Sequence, residues 1–304
     1  MRELPKITSA MLVVTHACNL RCRYCFVQKE PQRMALSTAK DAARFLMANA
    51  MASGGGAPEI NFFGGEPMLM YDSVIKPLVE WVHDELGEPF RFSITTNGTL
   101  LTEGRIRFMK RHGFGLLLSM DGNKPVQDYN RPYADGRGSF ETLRPIVPKV
   151  LAAWPGTTFR MTAIPETCSH LFESIMWAAA QGFTNFFVTP NVFEAWDDEA
   201  RDVLAGEVRK YADYYAESKA KGVRPITFKL RTGVPGHEAD KAGRKTADIQ
   251  SYAQVPQRGQ VRAGYVAVRV HTPEREFVRL SGNDEQRGRG KRLLHRFHLL
   301  GCGQ

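Results

Sequence analysis

The sequence is poor in cysteine, and the few it has are unevenly placed. Five occur in 304 residues, and three of them, Cys18, Cys22 and Cys25, sit in the single stretch THACNLRCRYCFV. An odd, clustered set argues against a secreted disulfide framework and for a metal or redox site in a reducing cytoplasm. No apolar run approaches the roughly 18 residues of a membrane span, so no membrane partner is expected. The start, MRELPKITSA, has charges and Pro5 where a signal peptide needs an apolar stretch, so no export signal is expected. No internal repeat is evident, and Gly54-Gly55-Gly56 lacks the spacing of a phosphate-binding loop. Acidic excess is also missing. The net charge is +9, but residues 231–304 carry 14 Lys/Arg against 7 Asp/Glu, so the basicity belongs to the tail. With no RNA- or DNA-binding motif beside it, a basic tail reads as a solvated segment, and no nucleic-acid partner is expected.

What is present is an ordinary globular composition, 43% apolar and 24% charged, in a chain long enough for one large domain or one domain with an appendage. Residues 8–222 alternate β-rich runs with helical patterns. Strands are predicted near 10–15, 58–63, 90–96, 114–120, 157–163 and 183–188 from Val, Ile, Phe and Thr enrichment between Gly or Pro. Helices are predicted near 37–52, 72–86, 102–112, 139–153, 169–181 and 197–221. Ser37 and Thr102 are candidate N-caps, and Gly87, Gly113 and Gly182 fall where helices should stop. Six β-α units in series predict an α/β fold, a partial (β/α)6 TIM-type barrel of parallel strands over residues 1–222. A poorly patterned basic extension fills 223–304, where GYVAVRVH and REFVRL have the makings of a hairpin. Chemistry in such barrels gathers at the C-terminal ends of the strands. The cysteine loop, GGEP, TNG and SMDG follow strands one to four, so all four motifs land on that rim.

Three thiols so close need a reason. Structural zinc takes four Cys or His ligands in two separated pairs, and no second pair exists here, although His16 is near. A thioredoxin-like pair in Cys22-Arg-Tyr-Cys25 would sit in a loop with a third thiol attached. Three thiolates suit an iron–sulfur cluster whose fourth iron is open to a ligand. Cys168, in PETCSHL, reads as an inert thiol, and His16, His83, His112 and His170 as structural.

Cys18-x3-Cys22-x-Tyr24-Cys25 resembles the signature of radical S-adenosylmethionine (SAM) enzymes. The resemblance implies a [4Fe–4S] cluster on Cys18, Cys22 and Cys25, with SAM on the fourth iron. It implies one-electron cleavage of the sulfonium to a 5′-deoxyadenosyl radical that abstracts a substrate hydrogen. Tyr24 is the aromatic of the motif. Gly64, Gly65, Glu66 and Pro67 match the segment that holds the SAM amino group. On the residues alone, the two glycines allow a close backbone approach to a ligand, and Glu66 offers an acceptor. Thr96 and Asn97 fall on the cofactor rim by the same likeness. LSMDGNKPVQDYNRP is similar to a segment of anaerobic sulfatase maturases and related peptide-modifying enzymes. That similarity gives Ser119 the ribose and Arg131, in the following loop, the methionine carboxylate. Val188 to Asn191, after strand six, would lie beside the adenine by the same likeness. Asp121 and Asp128 receive no role, and no catalytic residue is assigned.

The resemblance therefore implies a peptide or protein substrate, as in sulfatase maturation or ribosomal-peptide modification, and an electron donor such as a flavodoxin or ferredoxin. A radical enzyme acting on a small molecule, an inactive cluster- and SAM-binding protein, and a zinc module are the alternatives. The relatives usually carry a cysteine-rich extension, the SPASM domain, with auxiliary clusters. Here the only cysteine after Cys168 is Cys302, so the tail is read as naturally cluster-free, truncated or shifted in frame.

Overall fold

A computed structural model of the chain describes residues 6–230, apart from residues 53, 55, 88–89 and 224–225, and the strands Tyr265–His271 and Phe277–Ser281. The strands are β1 (Lys6–Thr15), β2 (Glu59–Gly64), β3 (Arg91–Thr96), β4 (Gly115–Ser119), β5 (Thr158–Ala163), β6 (Asn185–Pro190) and β7 (Thr227–Leu230). They form one parallel sheet in sequence order. The six strands expected from the sequence are therefore there, and β7 adds a seventh. The hairpin β8 (Tyr265–His271) and β9 (Phe277–Ser281) continues the sheet antiparallel beyond β1. The sheet has open ends at β7 and β9, as a partial barrel requires. The predicted loop over residues 231–250 and the polar run 283–292 lie outside the described residues.

Helices pack on one face because each strand alternates. Ile60 and Phe62, Phe92 and Ile94, Phe159 and Met161, and Phe186 and Val188 are buried on the helix side. Phe62, Phe92 and Phe114 stack with ring centroids 5.3–6.2 Å apart and tie three successive units together. The helices that close the units are α1 (Leu36–Ala52), α2 (Lys76–Trp81), α3 (Glu103–Arg111), α4 (Lys124–Asn130), α5 (Phe140–Leu143), α6 (Val147–Ala153), α7 (Leu171–Ala180) and α8 (Asp198–Ala220). Gly87, Gly113 and Gly182 all adopt positive φ at helix ends.

Several boundaries differ from expectation for local reasons. The helix predicted over 139–153 is split into α5 and α6, since Pro145 and Pro148 supply no N–H to a continuous ladder. The one predicted over 72–86 begins as a 3₁₀ turn at Pro67–Met70 and widens into a π-turn at Tyr71–Ile75, where Lys76 N–H reaches back to the Tyr71 carbonyl ahead of Pro77. Pro165 opens a 3₁₀ turn, Pro165–His170, ahead of α7. Arg131 opens the loop that follows α4, as the cap residue of that helix, whose start carries Pro125. Ser37 lies inside α1, not at its cap. Thr102 does cap α3, accepting from Arg105 N–H at 3.3 Å. Thr102→Ala is expected to cost about 1 kcal/mol in urea unfolding. Ser37→Ala should stay within about 0.5 kcal/mol, because Ser37 is exposed and caps nothing.

Candidate functional site

The loops after β1, β2, β3 and β4 meet at the C-terminal rim, and buried polar groups decide how they sit. The β1–β2 contact comes first. Gly65 N–H donates to the Thr15 carbonyl at 2.8 Å, and Glu66 N–H to the Ala17 carbonyl at 2.9 Å. A Cβ on Gly64 would run into the Thr15 carbonyl oxygen, and one on Gly65 into the carbonyls of His16 and Ala17. Gly64 also sits at φ 134°, a region that side chains avoid. The close approach that these glycines permit is thus to the chain's own backbone leading into the cysteine loop.

Glu66 is fully buried and turned inward. Its Oε1 accepts from Met68 N–H at 2.9 Å, capping the Pro67–Met70 turn, and from Thr96 Oγ1 at 2.7 Å. Its Oε2 accepts from Asn97 N–H at 2.8 Å. Burial pushes its carboxyl pKa up, while these donors pull the other way. Pro67 follows at the first position of the turn, where a missing N–H costs nothing. Asn97 carries the link onward. Its Nδ2 donates to Asn19 Oδ1 at 2.9 Å and lies 3.8 Å from Cys18 Sγ, while its Oδ1 accepts from Thr99. Asn19 in turn donates to Thr99 Oγ1 at 2.7 Å.

The other side of the cysteine loop is bound to α4. Arg21 N–H donates to the Pro132 carbonyl at 2.7 Å and Arg23 N–H to the Asn130 carbonyl at 3.0 Å. Arg23 also donates to the Tyr129 carbonyl and lies 4.1 Å over the Tyr129 ring. Behind these contacts lies Asp121, fully buried past the end of β4. Its carboxylate accepts from four groups: Tyr24 Oη (2.5 Å), Asn130 Nδ2 (3.2 Å), Arg131 Nη2 (2.9 Å) and Thr162 N–H (3.0 Å). The Arg131 guanidinium also lies 5.3 Å from the Tyr24 ring centre. Gln127 and Ser139, both fully buried, close a ring: Asp121 N–H to Gln127 Oε1, Gln127 Nε2 to Ser139 Oγ, and Ser139 Oγ to the Arg131 carbonyl.

The three thiols are free, with Cys18 and Cys22 half-buried and Cys25 exposed beside Lys29 Nζ. Burial pushes the Cys18 thiol up and the Cys22 thiol up to about 11, with Arg131 opposing at Cys22. Among the described residues no three His, Cys, Asp or Glu gather around a point where one ion would sit. Three thiols spaced along one loop instead suit a cluster, which takes each thiolate on a separate iron. Arg131 supplies a second observation. It is buried, its Nη1 lies 4.0 Å from Cys22 Sγ, and its Nε has no partner. An unpaired buried donor beside the thiols is suited to an anionic ligand. The residues present therefore fit a cluster on Cys18, Cys22 and Cys25 with a carboxylate-bearing ligand against Arg131.

Ser119 ends β4, half-buried, and its hydroxyl makes no hydrogen bond among the described residues. Val188 is placed differently from the rim position that the likeness gave it. Its side chain is fully buried in the core, and its neighbour Thr189 takes the opposite face with a hydroxyl that is buried and unpartnered. Cys168 is buried, and burial raises its thiol pKa, consistent with an inert thiol. Sequence reasoning gave no part to Asn19, Thr99, Gln127, Asn130, Ser139 or Thr162. Asn130 was visible in the N-R pair of the motif, and Thr189 in the period of β6. Gly64→Ala is expected to lower stability by about 2–4 kcal/mol, combining backbone strain with the clash at Thr15. A urea-unfolding change under about 0.5 kcal/mol would contradict this packing.

Residues 12–178, more than half of the chain, match the family described as the Radical SAM superfamily. The serine-type anaerobic sulfatase-maturating enzyme of Klebsiella aerogenes is 35% identical over 130 residues, covering 41% of this chain and 32% of that protein. The cysteine-type enzyme of Clostridium novyi is 29% identical over 132 residues, covering 41% and 35%. The chain thus spans about a third of the length of these curated relatives. Among solved structures, anSMEcpe with bound AdoMet superposes with a TM-score of 0.60 at 18% identity, covering 74% of this chain and 64% of that one. Streptococcus suis SuiB bound to the precursor peptide SuiA superposes with a TM-score of 0.54 at 15% identity, covering 75% and 49%. These two likenesses show the fold.

Proposed function

The chain belongs to the radical SAM superfamily, and on that premise we propose that it is a peptide- or protein-modifying enzyme of that superfamily. Cys18, Cys22 and Cys25 hold the [4Fe–4S] cluster, and its fourth iron is left for the amino and carboxylate groups of SAM. When bound, this pair supplies reductive cleavage of the sulfonium and removal of a hydrogen atom from a substrate carbon. The chain's own residues do the positioning. Arg131 would present Nη1, the guanidinium nitrogen beside Cys22, to the carboxylate. Ser119 offers its hydroxyl to the ribose. Thr96, Asn97 and Glu66 fix the β2 and β3 ends against Cys18 and Asn19. The carbonyl groups of the Gly64-Gly65-Glu66-Pro67 stretch face the amino group. Tyr24 packs against the guanidinium, and the Val188–Asn191 stretch would border the adenine. The single observation that carries the cofactor reading is the buried Arg131 guanidinium beside Cys22, whose Nε has no partner among the described residues.

A macromolecular substrate is supported by the rim itself. Phe26 after β1, Leu69 after β2 and Phe193 after β6 are 50%, 43% and 75% exposed. Phe193 is held out by a structured turn, in which Asn191 Oδ1 accepts from Phe193 N–H and the Asn191 carbonyl from Trp196 Nε1. Apolar groups displayed around an open rim suit the side chains of an extended peptide. The peptide-modifying relatives point the same way. An electron donor such as a flavodoxin or ferredoxin completes the reading. No helix among the described residues is long and apolar enough to cross a membrane.

Anaerobic reconstitution with iron and sulfide, followed by dithionite and SAM, tests the reading. The expected result is cluster formation and release of 5′-deoxyadenosine, both lost in Cys22→Ala. A wild-type chain that binds zinc instead, or forms a cluster that never turns SAM over, would contradict it.

A further inference from the structure

The Asp121 carboxylate has nothing left to offer a ligand. An ionised carboxylate has about four lone-pair sites, and four donors already fill them: Tyr24, Asn130, Arg131 and the Thr162 backbone. It is fully buried. Asp121 is therefore neither a free base nor a metal ligand in this arrangement. What it does is fix two groups that do face the cysteines. It takes one edge of the Arg131 guanidinium through Nη2, which turns Nη1 toward Cys22 Sγ and leaves Nε unpaired. It takes the Tyr24 hydroxyl, which sets the ring of the residue between Cys22 and Cys25 beneath that same guanidinium.

We propose that Asp121 is a positioning residue for SAM, orienting Arg131 so that the guanidinium edge beside Cys22 receives the ligand's carboxylate. This rests on the function proposed above. A planar five-donor guanidinium can bond two anions at once, and fixing its first partner fixes where its other donors point. Here the first partner is itself held by Tyr24, Asn130 and the Thr162 backbone. The Gln127–Ser139 ring locks the Arg131 backbone in the same place. A loose guanidinium next to a thiolate would otherwise turn toward the sulfur as its counter-ion. Holding it by one edge reserves the other for the incoming carboxylate.

The test compares two ligands on the reconstituted full-length chain: SAM, and decarboxylated SAM, which lacks only the carboxylate. Anaerobic calorimetry gives the affinity of each for wild type and for Asp121→Asn. Thermal unfolding and iron content check that both proteins fold and load. In Asp121→Asn the affinity for SAM should fall by about tenfold, the scale seen when a supporting partner of a bound group is removed, while decarboxylated SAM binds as to wild type. A small void lined by Thr162, Thr167 and Ser174 borders Asp121. Asp121→Glu therefore has room to fold if Asp121→Asn does not, and it should show the same selective loss by displacing the guanidinium. Equal weakening of both ligands would reduce Asp121 to a structural role, and unchanged binding of both would remove it from the site; either result overturns the proposal. A wild-type chain that loads a cluster yet discriminates neither ligand overturns it too. A wild-type chain that loads no cluster and binds neither ligand instead overturns the proposed function, and this inference with it.

Discussion

A buried carboxylate that accepts four hydrogen bonds decides where the cysteine loop can lie. Asp121, past the end of β4, joins its own segment to the loop after β1, the end of α4 and strand β5 at one point. Leaving any of those donors unpaired inside the protein would cost about 1–3 kcal/mol, so the four segments are fixed together. Glu66 plays the matching part on the other flank, binding the ends of β2 and β3 and, through Asn97, the first cysteine. The loop is held between two inward-facing acids, one acting through Asn97 and Asn19, the other through Tyr24 and Arg131.

This arrangement explains why a site with three soft ligands is rich in oxygen and nitrogen donors. Burial makes the Cys18 and Cys22 thiols reluctant to ionise. A metal centre reverses that preference by bringing its own charge. The protein does not need to stabilise free thiolates. It needs to hold the sulfur atoms in place until the centre arrives, and the polar framework around them supplies that rigidity at the rim of a parallel sheet, where strand ends expose backbone and side-chain donors to a ligand.

Much of the fold was legible in the sequence because the relevant signals are local. Alternation in EINFF and RFSITT, and glycine at 87, 113 and 182, report on residues within one turn or strand. The cysteine spacing is local too, and it singled out the three thiols of the rim loop. Asp121 was not legible in the same way: its partners at 24, 130–131 and 162 come from three separate segments, and a loop aspartate is common in any sequence. The glycines at 64 and 65 were seen as special, but sequence could not tell a ligand from the chain's own carbonyls as the neighbour that needs the space. At Val188 the period of β6 sends the side chain to the core and leaves Thr189 on the open face. The proline pair at 145 and 148 was a readable signal that the continuous helix over 139–153 passed over.

The central claim is that one iron of a cluster held by Cys18, Cys22 and Cys25 is open to SAM. Electron–nuclear double resonance on the reduced, reconstituted chain tests it most directly, using SAM labelled with nitrogen-15 at the amino group and carbon-13 at the carboxylate. Both labels should couple to the cluster, and the couplings should vanish in Cys22→Ala. A cluster that shows no coupling to either label would contradict the account.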